Sequence, residues 1–299
     1  EVLQMNNEEK IKNDTKEGTQ KTKLLSPKLD VVFQALFGEE GSERITKEFL
    51  EAILERKIEE VDLSGNIVLR RENVEDKMGV LDVLAKINDK EYINVEMQVY
   101  NKKNLLERIL YYWAKIYTRN IKKKEDYIEL KKTIEVLIVD FEIKQLKELG
   151  YHSKWKIIEE KDRKLILTDD LEIHIIEINK IKNLTEKEKN KELVKWIYFL
   201  EEPDGERVKE YMKSDSGIKE AKGKLETMSE DERMQILADL RLKAIMDEKA
   251  IKGLAYEEGK EEGKKENTIE IAKKMKSENI DIATIKRITG LTEEEIKKL

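Results

Sequence analysis

Apolar positions recur at helical spacing in LLSPKLDVVFQALFG (residues 24–38), where Leu29, Val32, Phe33, Leu36 and Phe37 form one stripe. Ser26 is a suitable N-cap, Pro27 occupies the first helical position, and Gly38 can end the helix. A second helix is expected over about Ser42 to Glu55, with Phe49, Leu50, Ile53 and Leu54 as its apolar face. Short strand-like pieces follow in IEEVDL (58–63) and NIVLRR (66–71), then the hairpin LDVLAKINDKEYINVEMQVY (81–100). NLLERILYYWAKIYTRNI (104–121) reads as a strong helix, and TIEVLIVDFEI (133–143) and LEIHIIEINKI (171–181) as buried strands. ELVKWIYFLEEP, ending at Pro203, closes this series. Helices interleaved with strands in this order predict an α/β fold, a mixed sheet flanked by helices.

The hairpin carries the first chemical signal. Leu81, Val83, Ala85 and Ile87 share one face of its first strand, leaving Asp82, Leu84 and Lys86 opposite. On the second strand, Ile93, Val95, Met97 and Val99 oppose Tyr92, Asn94, Glu96, Gln98 and Tyr100. For the two apolar sets to meet, the turn must hold an odd number of residues, since a one-residue slip flips a strand. A three-residue turn, Asn88-Asp89-Lys90, puts Asp82 directly across from Glu96; a five-residue turn puts it across from Gln98, with Glu96 on the diagonal. Opposed like charges destabilise a strand pair. Exposure to water, protonation of one acid, or a bound cation can relieve them.

The sequence beyond Pro203 contains no convincing strand and is dominated by charged helical sequence. EEGKEEGK (257–264) is a four-residue repeat read as a solvated helix or helical linker. IDIATIKRITGLTEEEIKKL (280–299) holds two short amphipathic segments about Thr289-Gly290, with Thr292 as an N-cap and Glu295 three residues later. It resembles a small helix-turn-helix; a helical pair packing on a partner chain is favoured there over DNA reading. The expected organisation is a mobile tail over 1–23, a core domain over 24–203 and an all-helical charged extension over 204–299. The first four residues, EVLQ, precede Met5 and are set aside as a non-native lead.

Composition narrows the chemistry. The chain has no cysteine and two histidines, His152 and His174, so any metal must be held mainly by oxygen, which points to Mg²⁺ or Mn²⁺. Each histidine is read as a hydrogen-bonded structural residue. The absence of cysteine suits a cytoplasmic protein, and no signal-peptide pattern or membrane-length apolar run is present. The net charge is −6, yet residues 101–132 hold ten Lys/Arg against four Asp/Glu. Within that basic stretch Arg108, Tyr112, Lys115 and Arg119 recur at helical spacing, a stripe suited to a phosphate backbone. Tyr111 and Trp113 are assigned to core or rim.

SPKLDVVFQALFG, MGVLDVLAKI, YINVEMQ and ERILYYWAKIY together resemble the Rpn family of recombination-promoting nucleases and transposase-like proteins, within the PD-(D/E)xK nuclease superfamily. The resemblance covers roughly residues 24–203 and continues loosely into the tail. It implies a PD-(D/E)xK nuclease-like core in which Asp82 fills the D and Glu96 the (D/E), with Mg²⁺ or Mn²⁺ as cofactor. Gln98 stands where the wider superfamily has lysine, so it can orient water or phosphate by hydrogen bonds but adds no positive charge. Val80 falls where the proline of the motif is sought. Asp30 takes the family's early acidic position as a further metal ligand, with Glu48 a remoter alternative. The implied function is a Mg²⁺-dependent DNA endonuclease that promotes recombination or mobile-element activity. The competing reading is a catalytically weak nuclease fold that binds DNA or self-associates through its C-terminal helices. The partner expected in either case is DNA, with no membrane.

Overall fold

A computed structural model describes residues 23–65, 82–101, 103–121 and 124–299. By chain contacts it divides into two units, Glu1–Asp239 and Leu240–Leu299. Among the described residues, the first unit contains a six-stranded sheet in the order β1-β2-β3-β4-β6-β5. Its strands are β1 (Val61–Asp62), β2 (Val83–Ile87), β3 (Glu91–Gln98), β4 (Lys132–Val139), β5 (His152–Ile158) and β6 (Ile166–Glu177). β3, β4 and β6 run parallel, while β1, β2 and β5 pair antiparallel to their neighbours. The sheet is therefore mixed and flanked by helices, as the element order predicts. The NIVLRR strand and most of the expected N-terminal tail lie outside the described residues.

The aromatic side chains assemble one side of the core. Helix α1 (Asp30–Phe37), helix α2 (Glu43–Leu54) and the helix over Glu192–Glu201 contribute Phe33, Phe37, Phe49 and Trp196. Phe37 and Phe49 stack at 4.6 Å, and Trp196 lies 5.3 Å from Phe49. Helix α1 starts later than its sequence suggests, with Leu29 rather than Ser26 at the N-cap. Ser26 instead closes a turn by accepting from the Leu29 N–H, and Lys28 is drawn to Asp140 and Glu201. Gly38 does end α1. A Cβ there would meet the Asp82 carbonyl oxygen and Val83 Cγ2, each at 3.3 Å, and the Gln34 oxygen at 3.0 Å.

Helix α3 (Leu105–Arg119) joins β3 to β4 and covers the other face of the sheet. Its Leu105 and Ile109 pack with Leu137, Val139, Ile173 and Ile175, and its Tyr112 and Ile116 pack with Leu84. Parallel neighbours need such a crossover, because a tight turn cannot reverse the chain twice. Trp113 fastens the helix by donating from its indole N–H to the Thr133 carbonyl.

The compact unit does not stop at the expected boundary of Pro203. The helices over Glu206–Tyr211 and Ser216–Glu230 bury Val208, Ile218, Ala221 and Leu225, so the apolar core continues past it. Beyond Pro203 all regular structure is helical. A helix spanning Glu232–Ser277 passes through the division between units and includes the EEGKEEGK repeat. In the second unit, helices over Ile282–Thr289 and Glu293–Lys298 meet at Gly290, whose φ of 75° is the left-handed conformation that favours glycine. Thr292 and Glu295 form the expected capping box, and Ala272, Ile285 and Ile296 make a small core. No helix among the described residues is long and apolar enough to cross a membrane.

β5 escapes the sequence pattern, because its residues are largely exposed and it lacks an apolar face. It supplies His152, whose Nε2 lies 2.8 Å from His174 Nδ1; His174 Nε2 in turn lies 2.8 Å from Glu172 Oε1. Both histidines are thus hydrogen-bonded. The His174 hydrogen bond and Lys132 hold the Glu172 carboxyl well below its usual range, against burial. Burial lowers the His152 imidazole to about 4; His174 and Lys154 add to this and Glu55 opposes it. The unfolded chain therefore takes up a proton near pH 6.5 that the folded one refuses until about 4. His152 stabilises the fold fully above pH 6.5, and that contribution is lost as pH falls toward 4. Urea titrations should show His152→Gln losing less stability than the parent between pH 7 and 4.5, by roughly 2 kcal/mol.

Candidate active site

The register of the central hairpin follows from its turn. Asn88 and Asp89 both adopt positive φ, 50° and 55°, and Lys90 N–H closes on the Ile87 carbonyl. Asparagine and aspartate tolerate this left-handed conformation better than most residues. The Asn88 side chain fixes the turn by accepting from the Glu59 and Glu60 N–H groups. Ile87 then pairs with Glu91 and Val83 with Val95, which is the three-residue alternative. Continued one step, that ladder sets Asp82 across from Glu96.

Both acids are buried, Asp82 at 7% and Glu96 at 5% exposure. Relief by exposure to water is thereby excluded. Asp82 Oδ2 accepts from the Met97 N–H at 2.6 Å, which locks the carboxylate beside β3. Glu96 receives the Gln98 amide on Oε2 at 3.3 Å and the Asn94 amide on Oε1 at 3.5 Å. The three residues expected to converge do so.

A third carboxyl, unforeseen in the sequence, lies beside them. Parallel pairing sets Glu135 of β4 next to Asn94 of β3, and Asn94 Nδ2 donates to Glu135 Oε1 at 2.8 Å. Glu135 is wholly buried. Burial pushes its carboxyl well above the usual range; the charges of Glu96 and Asp82 add to this, and the Asn94 amide opposes it. The signal was a lone acid inside the apolar run TIEVLIV. Its meaning depends on which strand lies alongside.

The other expected ligands lie on helices, Asp30 on α1 and Glu48 on α2. Asp30 opens α1 and accepts from the Val31 N–H. Lys28 just before it reaches Asp140, whose N–H donates to the Gln98 carbonyl, so α1 begins at the Gln98 end of β3. Glu48 is on α2 and lies against Gly217, where a Cβ would meet its Oε2. Among the described residues no three His, Cys, Asp or Glu side chains form a group able to hold a metal ion. Magnesium keeps several waters and is commonly held by one or two carboxylates. Asp82 and Glu96 fit that requirement as a pair of hard oxygen donors.

Helix α3 lies over the same sheet face. Arg108 is half-buried and donates to the Tyr112 hydroxyl at 3.0 Å. Lys115 is half-buried and Arg119 exposed, which leaves a cationic edge. The aromatic positions exchange roles relative to the expected stripe. Tyr112 is buried at 6% against Leu84, while Tyr111 is 46% exposed with Lys115 Nζ 5.5 Å from its ring centre. The reason is that the apolar face of α3 runs through Leu105, Ile109, Tyr112 and Ile116, so Tyr112 turns inward.

A buried carboxylate pair on a mixed sheet, with a partly basic helix over it, is an arrangement suited to phosphodiester chemistry. Residues 27–255 match the family described as PD-(D/E)XK nuclease family transposase. The chain belongs to that family. Residues 265–299 match the Rpn/YhgA-like nuclease family, C-terminal HTH domain, which bears out the resemblance in both parts. No curated protein and no solved structure gives a significant match. The family establishes a nuclease- or transposase-type protein, a class that generally uses divalent metal ions, with a helix-turn-helix module that suggests DNA binding.

Proposed function

We propose that this protein is a divalent-metal-dependent DNA endonuclease that hydrolyses phosphodiester bonds, with Mg²⁺ as the fitting ion and Mn²⁺ able to replace it. The observation that carries the reading is the burial of Asp82 and Glu96 side by side with the Gln98 amide on Glu96. Asp82 and Glu96 hold the cation, which when bound lowers the pKa of water and offsets phosphate charge. Gln98 spends one N–H on Glu96, and its remaining amide atoms orient water or a phosphate oxygen. Arg108, Lys115 and Arg119 hold the DNA backbone; Tyr112 acts beneath them by fixing Arg108. Asp30 lies toward the same strand end and is proposed as a further ligand once substrate and ion are in place. DNA recombination or mobile-element activity in the cytoplasm is the proposed setting.

Plasmid incubated with Mg²⁺ should be cut, EDTA should abolish cutting, and Asp82→Ala and Glu96→Ala should each lower the rate at least about 100-fold. Undiminished cleavage by either variant overturns the role assignment. DNA retention without strand breaks transfers the case to a nuclease-like binding protein.

Self-association is proposed for the C-terminal helices on one specific observation. Leu240, Ile251 and Leu254 of the long helix are each at least 60% exposed, and their spacing places them on one stripe. A second copy of the chain is the proposed occupant. Light scattering should show a multimer for the parent chain and a monomer for the Leu240→Glu, Ile251→Glu, Leu254→Glu triple variant.

A further inference from the structure

Glu135 and Asn94 lie next to the proposed ligands, and the nuclease reading gives neither a role. Asn94 has no exposed surface, and neither does Glu135. Nδ2 of Asn94 is shared: one contact runs to Glu135 Oε1 at 2.8 Å and a longer one to Glu96 Oε1 at 3.5 Å. Among the described residues, Asn94 Oδ1 and Glu135 Oε2 are buried without hydrogen-bond partners. Such orphaned buried groups are rare and costly in native proteins. Here the two orphans belong to the two partners of one short hydrogen bond. A carboxylic acid and a primary amide form a ring of two hydrogen bonds when the acid keeps its proton. Nδ2–H donates to Oε1, and Oε2–H donates to Oδ1. In such a ring one proton on Glu135 would serve both orphaned atoms.

We infer that Glu135 and Asn94 form a buried, neutral acid–amide strut whose task is to position the Glu96 carboxylate. The inference rests on the reading of Asp82 and Glu96 as ion ligands. The surroundings favour the neutral form: Glu135 is shut off from water and faces the charges of Glu96 and Asp82. A second buried anion at this point would repel Glu96 and leave Asn94 Oδ1 empty. A neutral acid pins the Asn94 side chain, so that the second amide hydrogen stays aimed at Glu96. Gln98 holds the other Glu96 oxygen. Glu96 is thereby restrained on both oxygens by amides, one of them anchored from β4. Glu135 is a positioning residue, since its hydrogen-bonded path to Glu96 runs through Asn94.

Glutamine at position 135 reproduces the strut, with its carbonyl accepting from Asn94 Nδ2 and its N–H group donating to Oδ1. Leucine has similar bulk and reproduces neither bond. Full-length parent, Glu135→Gln and Glu135→Leu are compared by Mn²⁺ affinity from water-proton relaxation, by circular dichroism melting, and by cleavage kcat and KM. Outer partners of metal ligands typically set metal affinity by roughly 10- to 100-fold. The expected result is Mn²⁺ affinity within about twofold of the parent for Glu135→Gln and at least about tenfold weaker for Glu135→Leu. Both variants should melt as folded proteins, and KM for DNA should be unchanged in both. Asn94→Leu should match Glu135→Leu, and the double variant should be no worse than either. Equal Mn²⁺ affinity for glutamine and leucine at 135, in a parent that cleaves DNA, overturns the strut and leaves the nuclease reading intact. The expected affinity pattern in a parent that cuts no DNA supports the strut and removes the nuclease reading. A parent that binds no Mn²⁺ overturns both.

Discussion

Negative charge confined away from water is the constraint on which this molecule turns. Asp82, Glu96 and Glu135 are all buried on one face of the central sheet. Burial strengthens their mutual repulsion and removes the solvent that would screen it. The surrounding architecture answers that repulsion piece by piece. The Met97 N–H takes up one oxygen of Asp82, the amides of Asn94 and Gln98 cap Glu96, and Glu135 is held where its acid form is favoured. Each of those donors comes from β3, so the strand carrying the acid also carries its restraints. The two faces of the sheet are accordingly unequal. One is closed by aromatic packing among Phe33, Phe37, Phe49 and Trp196, and the other carries polar chemistry under α3.

Much of this was legible in the amino-acid order. Strand alternation plus the parity argument narrows Asp82 to two registers, across from Glu96 or from Gln98, and the three-residue turn of the structure selects the first. Helices α1, α2 and α3 also follow from apolar spacing, within a few residues at their ends. What alternation within one segment cannot reveal is a relation between segments. Glu135 meets Asn94 only because β3 and β4 lie parallel and in a particular register, set by the crossover through α3. Tyr112 and Tyr111 were exchanged for a related reason. Charge spacing marked one face of α3, whereas the orientation of the helix was decided by which apolar side chains could reach Leu84, Leu137 and Ile173.

The end of the first unit was obscured for a different cause. Pro203 does break a helix, but a break in local structure is not a break in packing. The helix over Ser216–Glu230 looks polar in sequence, yet its sparse apolar residues Ile218, Ala221 and Leu225 are all inaccessible to solvent. Lys222 on the same helix is buried as well, with Asp204 as its partner. A high charged fraction therefore did not mark a solvated extension. The terminal module was the reverse case, where the capping box and the left-handed glycine were local signals and survive intact.

Gly38 brings a mechanical corollary. Its missing side chain lets the end of α1 come to rest against the main chain of Asp82 and on Val83, where an added carbon 3.3 Å from each would force its neighbours to give by a few tenths of an ångström. Helix α1 is thus a mould against which the first acid's backbone is cast, and the mould is bolted to the aromatic core by Phe33 and Phe37. Among the strictest demands on the placement of that carboxylate is one that falls on a position with no functional group at all.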